Sequence, residues 1–338
     1  MNIKSLLIGS AALAAVSTGA QAADAIVVAE PEPMEYVRIC DVYGAGFFYI
    51  PGTETCLKIG GYMRYDVYYS VDVAGGLTTR ARFAPSFDVR SDSEVGTIRG
   101  YAELEIDYFY NTGLAPAAYG IGLDAVSAYI QVIRPNGGSW LFGRAETPYT
   151  RFLGYSSSMA WLDGYYSYRR SSEISYTFNG SNGFNFIAAI VNDGDADFLH
   201  DGELGLKFSR GWGEVGAIVG YDSSVGGIGA KASLQINFPN TSGSYFKLMA
   251  MYASVTAAGG SVYGLDATST FSVLAAANFA FSQKVSLGLH AQWLNSGNFF
   301  AGATLPITVA PGLEIRPEVA YDSGGNGLMG MMRFQRSF

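Results

Sequence analysis

After residue 22 the sequence has no uninterrupted apolar run of the about 20 residues that a transmembrane helix requires, so a helical membrane protein is excluded. Charged residues are also scarce, at 15% against about 25% in an average soluble domain. The formal net charge is −8, and lysines and arginines form no cluster. That excludes nucleic acid as a partner, because its binding rests on grouped cations against phosphate. Histidine occurs twice, at His200 and His290, and there is no P-loop, H-E-x-x-H or G-x-S-x-G. The two cysteines, Cys40 and Cys56, have neither C-x-x-C spacing nor a neighbouring histidine. Metal, cofactor and redox roles are therefore not expected, and neither is an enzyme.

What is abundant is apolar content without runs. Hydrophobic residues make up 49% and aromatics 14%, with 43 glycines and 23 tyrosines. Apolar residues so interleaved with polar ones suit strands that have one face in lipid and the other in water. Residues 1–22 carry Lys4, an apolar stretch from Leu6 to Val16, and Ala20-Gln21-Ala22. This is the layout of a cleavable export signal. In an exported chain, two cysteines with fifteen residues between them predict a disulfide within the N-terminal segment 23–57.

From residue 58 the pattern has period two. Ile59, Met63, Tyr65 and Val67 share one face, and Lys58, Arg64 and Asp66 the other. Leu104, Ile106 and Tyr108 likewise oppose Arg99, Glu103, Glu105 and Asp107. A helix of period 3.6 would not sort them so. About sixteen such segments follow: 58–70, 81–91, 97–110, 124–134, 139–145, 171–179, 184–191, 202–209, 212–221, 228–237, 244–254, 270–280, 284–293, 298–306, 312–321 and 328–338. The expected fold is all-β, an antiparallel transmembrane barrel over 58–338 of the size that leaves an aqueous channel. Segments 139–145 and 298–306 alternate weakly, and Pro85 and Pro317 inside strands predict local bulges. The longest unpatterned stretch, about 146–170, follows the fifth strand.

The final strand ends on Phe338, which resembles the signal by which bacterial outer-membrane proteins are passed to their assembly machinery. Arg336 departs from it by standing on the usually apolar face. The stretch Arg38-Ile39-Cys40-Asp41-Val42-Tyr43-Gly44-Ala45-Gly46-Phe47-Phe48-Tyr49-Ile50-Pro51-Gly52-Thr53-Glu54-Thr55-Cys56-Leu57-Lys58-Ile59-Gly60-Gly61-Tyr62-Met63-Arg64-Tyr65-Asp66 closely resembles the start of mature porins of Rhizobiales-type alphaproteobacteria. Ile174-Ser175-Tyr176-Thr177-Phe178-Asn179-Gly180 and Arg333-Phe334-Gln335-Arg336-Ser337-Phe338 are similar to the same family, so the resemblance covers the chain. It implies a homotrimeric, sixteen-stranded general porin of the outer membrane, in contact with lipid and lipopolysaccharide. Such a channel passes small hydrophilic solutes and ions, and its third loop folds into the lumen. Gly143-Arg144-Ala145-Glu146-Thr147-Pro148-Tyr149 resembles the junction with that loop.

If the apolar parity faces lipid, the other lines the pore. Arg64, Arg82, Arg99 and Arg144 are then candidates for a basic wall, opposed by Glu146 and Asp163 on the loop. Simple stabilising ion pairs remain the alternative for each. Tyr155, Trp161, Tyr165, Tyr166 and Tyr168 crowd the loop, as a sugar track or as packing. Two other functions stay open. An adhesin or structural barrel would need a plugged lumen, and a barrel hydrolase could use His290, which shares a polar face with Ser286 and Gln292.

Overall fold

A computed structural model describes residues 38–71, 76–111, 118–155, 159–160, 162–194, 200–239, 241, 243–325 and 327–338. The expected export signal 1–22, the start of the 23–57 segment and Trp161 lie outside the described residues. From Ile39 onward the chain is one compact unit. Its strands are β1 (Cys56–Ser70), β2 (Leu77–Ser93), β3 (Gly96–Asn111), β4 (Ala118–Ile133), β5 (Gly138–Glu146), β6 (Arg170–Asn179), β7 (Phe184–Val191) and β8 (Asp201–Arg210). There follow β9 (Gly213–Asp222), β10 (Gly227–Asn237), β11 (Tyr245–Ala253), β12 (Phe271–Ala280), β13 (Ser286–Leu294), β14 (Phe299–Thr304, resuming as Ile307–Ala310), β15 (Leu313–Asp322) and β16 (Gly327–Ser337). Each pairs antiparallel with the next, and β16 pairs with β1. The sheet therefore closes into a sixteen-stranded barrel without a free edge, which is what lets backbone amides cross a bilayer hydrogen-bonded.

Period-two alternation decides which face is which. Ile59, Met63 and Tyr65 on β1, Leu204, Leu206 and Phe208 on β8, and Val215, Val219 and Tyr221 on β9 are exposed on the outer surface. Asp66, Glu203, Lys231, Gln292 and Arg333 are buried within. This is the inverse of a water-soluble protein. An apolar outer band of this extent is stable only when hydrocarbon covers it.

Connections alternate between the two rims. Glu94-Val95 and Gly211-Trp212 are tight turns at one rim, whereas 147–169 and 254–270 are long and leave from the other, which in this architecture is extracellular. The prolines do not create the expected bulges. Pro85 pairs with Gly61 in unbroken register, and Gly61 (φ +135°) has no Cβ to strike Pro85, where one would lie 2.9 Å from its Cα. On its other side the ladder to β3 skips Ala84 and Pro85, and the register shift follows between β3 and β4, where Val126 is extra opposite Glu103 and Leu104. Pro317 also pairs in register, with Met332, while β14 opposite it breaks at Leu305-Pro306 and shifts register between Thr308 and Ala310. Leu305 N–H there donates to the Pro317 carbonyl at 3.0 Å.

At the short-turn rim Cys40 and Cys56 form a disulfide with Cα atoms 6.1 Å apart. Closing a loop of that length contributes about 3 kcal/mol in the chain-entropy model. Phe47 packs under the guanidinium of Arg90 (5.0 Å) and near the Lys58 ammonium (5.9 Å), so this segment lies against the inner wall of β1 and β2.

Arg336 keeps its charge out of hydrocarbon by donating to the Pro311 carbonyl at the rim, 2.6 Å away. Phe338 N–H donates to Gly61 O at 3.0 Å, and its ring lies 6.4 Å from that of Phe83 on the outer face. The terminal aromatic thus seals the seam between β16 and β1. Phe338→Ser should lower the yield of heat-modifiable barrel several-fold in outer-membrane fractions. Wild-type yield would show the residue to be dispensable.

Candidate functional site

The connection 147–169 folds into the lumen. Thr147 N–H donates to Arg169 O at 3.1 Å and closes its neck, and a short helix α1 (Pro148–Arg151) starts on proline, whose missing N–H costs nothing at that position. Its apolar side chains Tyr149, Phe152, Leu153 and Tyr166 are buried against Ile187, Ile218, Met249, Met251, Leu274 and Leu294 of the inner wall. Polar wall residues tie down its backbone. Lys207 Nζ donates to Phe152 O and Lys231 Nζ to Tyr149 O, each at 2.9 Å, and Lys247 Nζ reaches Tyr155 O at 3.2 Å. Glu203 accepts from Tyr149 N–H at 2.7 Å, and Glu318 from Ala160 N–H at 2.6 Å. Gln292 accepts from Tyr165 N–H at 2.8 Å and donates to Tyr165 O at 2.9 Å.

A second connection, 254–270, also turns inward. Tyr263 and Leu265 are buried in the same cluster, the Tyr263 ring lies 4.6 Å from that of Tyr149, and Ser167 Oγ donates to Tyr263 O at 2.8 Å. The wall from β7 to β13 is thus filled by two loops. An open cavity of about 630 Å³ remains on the opposite side.

Arg64, Arg80, Arg82, Arg170 and Arg333 line this cavity together with Glu103, Glu105, Glu146 and Asp163. Most of these cations are already paired. Asp66 binds Arg80 at 2.7 Å and Arg333 at 2.7 Å, while Arg82 binds Asp107 at 2.6 Å and also contacts Glu105. Arg64 donates to the neutral Gln335 at 2.9 Å and lies over the Tyr62 ring at 4.3 Å. On the loop side, Glu146 accepts from Tyr155 OH at 2.7 Å and Tyr168 OH at 2.9 Å. Burial, reinforced by Glu146, raises both phenols above the usual tyrosine range, so they remain neutral donors. Burial, with a smaller push from Glu318 and against a backbone hydrogen bond, raises the Asp163 carboxyl to about 7.

The cavity brings together Arg64, Arg82, Glu146 and Asp163 of the expected set. Arg99 is elsewhere. It points inward, but nearer the short-turn rim, where it shares Asp88 with Arg90 at 2.9 and 2.8 Å. Arg144 is on the wrong face for a pore wall, because it shares the parity of outward Trp140 and Phe142, and it donates to Ala125 O at 2.9 Å, 3.6 Å from Asp124. Arg80, Arg170 and Arg333 stand where these two were expected. Arg80 and Arg170 each fell one residue outside a predicted strand, while Arg333 was readable from its polar parity. Tyr155 and Tyr168 stack with ring centroids 6.3 Å apart beside the cavity, whereas Tyr166 packs against the wall. His290 is buried beneath the loop, and among the described residues neither of its ring nitrogens has a hydrogen-bond partner.

Comparison with known proteins adds an independent line. A family model described as a porin subfamily matches residues 24–334. The chain is 36% identical to porin Omp2a of Brucella melitensis over 379 residues and 37% identical to porin Omp2b of Brucella neotomae over 374, covering 100% of both chains in each case. Among solved structures, a mutant of Rh. blastica porin matches with a TM-score of 0.64 at 15% identity, over 83% of this chain and 100% of the other. At that identity the likeness concerns the fold alone.

Proposed function

The chain belongs to the porin subfamily, and we propose that its passage is the cavity between the 147–169 loop and the arginines of β1, β2, β6 and β16. It is a general porin of the outer membrane, a passive water-filled channel for small hydrophilic solutes and ions. The finer reading is that the narrowing favours cations despite its arginines. The observation that carries it is the pairing: five arginines at the cavity meet six carboxylates, namely Glu103, Glu105, Glu146 and Asp163 on its surface and Asp66 and Asp107 behind. The arginine wall is thereby neutralised, and the loop carboxylates leave a small negative excess to act on ion partition.

In this reading the assembled form is a homotrimer set in lipid and lipopolysaccharide and delivered by the outer-membrane assembly machinery, supported by the apolar outer band and the terminal Phe338. The test is reversal potential in planar bilayers under a potassium chloride gradient at neutral pH or above. Stepwise channel insertion with a modest cation preference is expected. Anion preference would overturn the charge assignment, and correctly inserted barrels without conductance would point to an adhesin or structural role.

A further inference from the structure

His290 on β13 faces inward and is 3% exposed, two residues from the Gln292 that holds the loop. The loop backbone rests on it. A Cβ added at Gly164 (φ +86°) would lie 3.0 Å from His290 Nε2 and 2.5 Å from Gln292 Oε1. The rings of Phe300, at 5.5 Å, and Tyr166, at 6.4 Å, complete the enclosure. Among the described residues neither imidazole nitrogen has a hydrogen-bond partner.

Among the described residues, neither strand beside His290 turns a carboxylate toward it to pair with an imidazolium. β13 itself carries no charged residue. β12 presents Ser272, Ala276 and Asn278, and β14 presents Phe300, Gly302 and Thr304, all uncharged. The loop brings Asp163, next to Gly164, and the phenol of Tyr166. Farther along the wall, Lys247 lies beyond Ala276 and Glu318 is paired with Thr304. Both are occupied by loop backbone groups, and Asp322, paired with Phe300, accepts from Tyr165 OH at 2.9 Å.

A neutral imidazole tolerates such a site far better than an imidazolium, which would bury a charge and two unpaired donors. With the loop lifted, the ring meets lumenal water and takes up a proton at its ordinary pKa of about 6.5. Protons therefore bind the undocked form more tightly, and acid shifts the equilibrium toward it. We propose that His290 is an acid-sensitive latch for the inserted loop, whose protonation below about pH 6 releases the stretch around Gly164 from the wall and changes the passage. The link to conduction rests on the reading that this loop sets the narrowing.

The test uses the full barrel reconstituted in lipid, with an environment-sensitive fluorophore on Ala160→Cys. The native cysteines are bridged and do not compete for label. Fluorescence and single-channel current are followed together from about pH 8 to 4.5, bracketing the ordinary histidine range. A probe transition with a midpoint below about 6.5 is expected, persisting in Asp163→Asn and lost in both His290→Gln and His290→Phe, with heat-modifiability confirming that each variant has folded. No transition in the native barrel, or an unchanged one in both neutral variants, would overturn the latch. A His290-dependent probe transition without a change in current would uphold the latch and count instead against the loop as the narrowing.

Discussion

Deleting Ser156 to Tyr165 should raise single-channel conductance by about twofold or more, because it removes the material that divides a barrel otherwise wide enough for an open aqueous channel. The deleted stretch holds Met159 and Leu162, which pack with Phe300, Ala320 and Met331, and it includes Asp163. It also includes the amides of Ala160, Leu162 and Tyr165 that Glu318 and Gln292 bind. Those wall groups would then face lumenal water rather than a dry interface, so the barrel should still fold. The β-ladders do not pass through the loop, and Thr147 and Arg169 still close its neck. Heat-modifiable mobility would verify the fold, and bilayer recordings would read the conductance. An unchanged value in a folded variant would move the narrowing away from the loop, to the short-turn mouth where Phe47 lies against Arg90 and Lys58.

The barrel was legible because its governing rule is local: one residue outward, the next inward, with turns where glycine, asparagine and serine collect. The long junction after Gly143 was legible for the same reason, as a failure of alternation. The site was less so. Arg144 misled because the inward residues of β5, Ser139, Leu141, Gly143 and Ala145, are uncharged and leave Arg144 as the one charged residue of the segment 139–145. Arg99 has the expected face, but its depth along the barrel axis depends on strand tilt and stagger, which a single strand does not encode. The apolar floor beneath the loops had a signal that polarity alone obscures. Met249 and Met251 share the face of Lys247, and Leu274 and Ala276 that of Asn278, so lumen-facing apolar residues from β7 to β13 mark a wall covered by protein rather than water. The lysines of that wall and Glu203 bind the loop's carbonyls and an amide rather than facing the pore.

Asp163→Asn should move ion selectivity toward anions, and the size of the shift should depend on pH. With its carboxyl raised to about 7 by burial, Asp163 is ionised above that value and neutral below it. The negative excess in the passage is therefore present at about pH 8.5 and largely gone at about pH 6. One unit charge about 8 Å from a passing monovalent ion contributes about 0.5 kcal/mol at the dielectric of water, about a twofold change in partition. In the native channel the cation-to-anion permeability ratio should fall by roughly the square of that factor, about fourfold, between about pH 8.5 and pH 6, because the charge repels anions as much as it attracts cations. The Asn variant should show the lower ratio at both values, with its conductance retained. Stopping at pH 6 keeps the measurement above the range in which His290 would release the loop. Reversal potentials in a salt gradient, taken on both channels across this window, decide the matter. A variant that still loses cation preference as pH falls would assign the titration to a group other than Asp163.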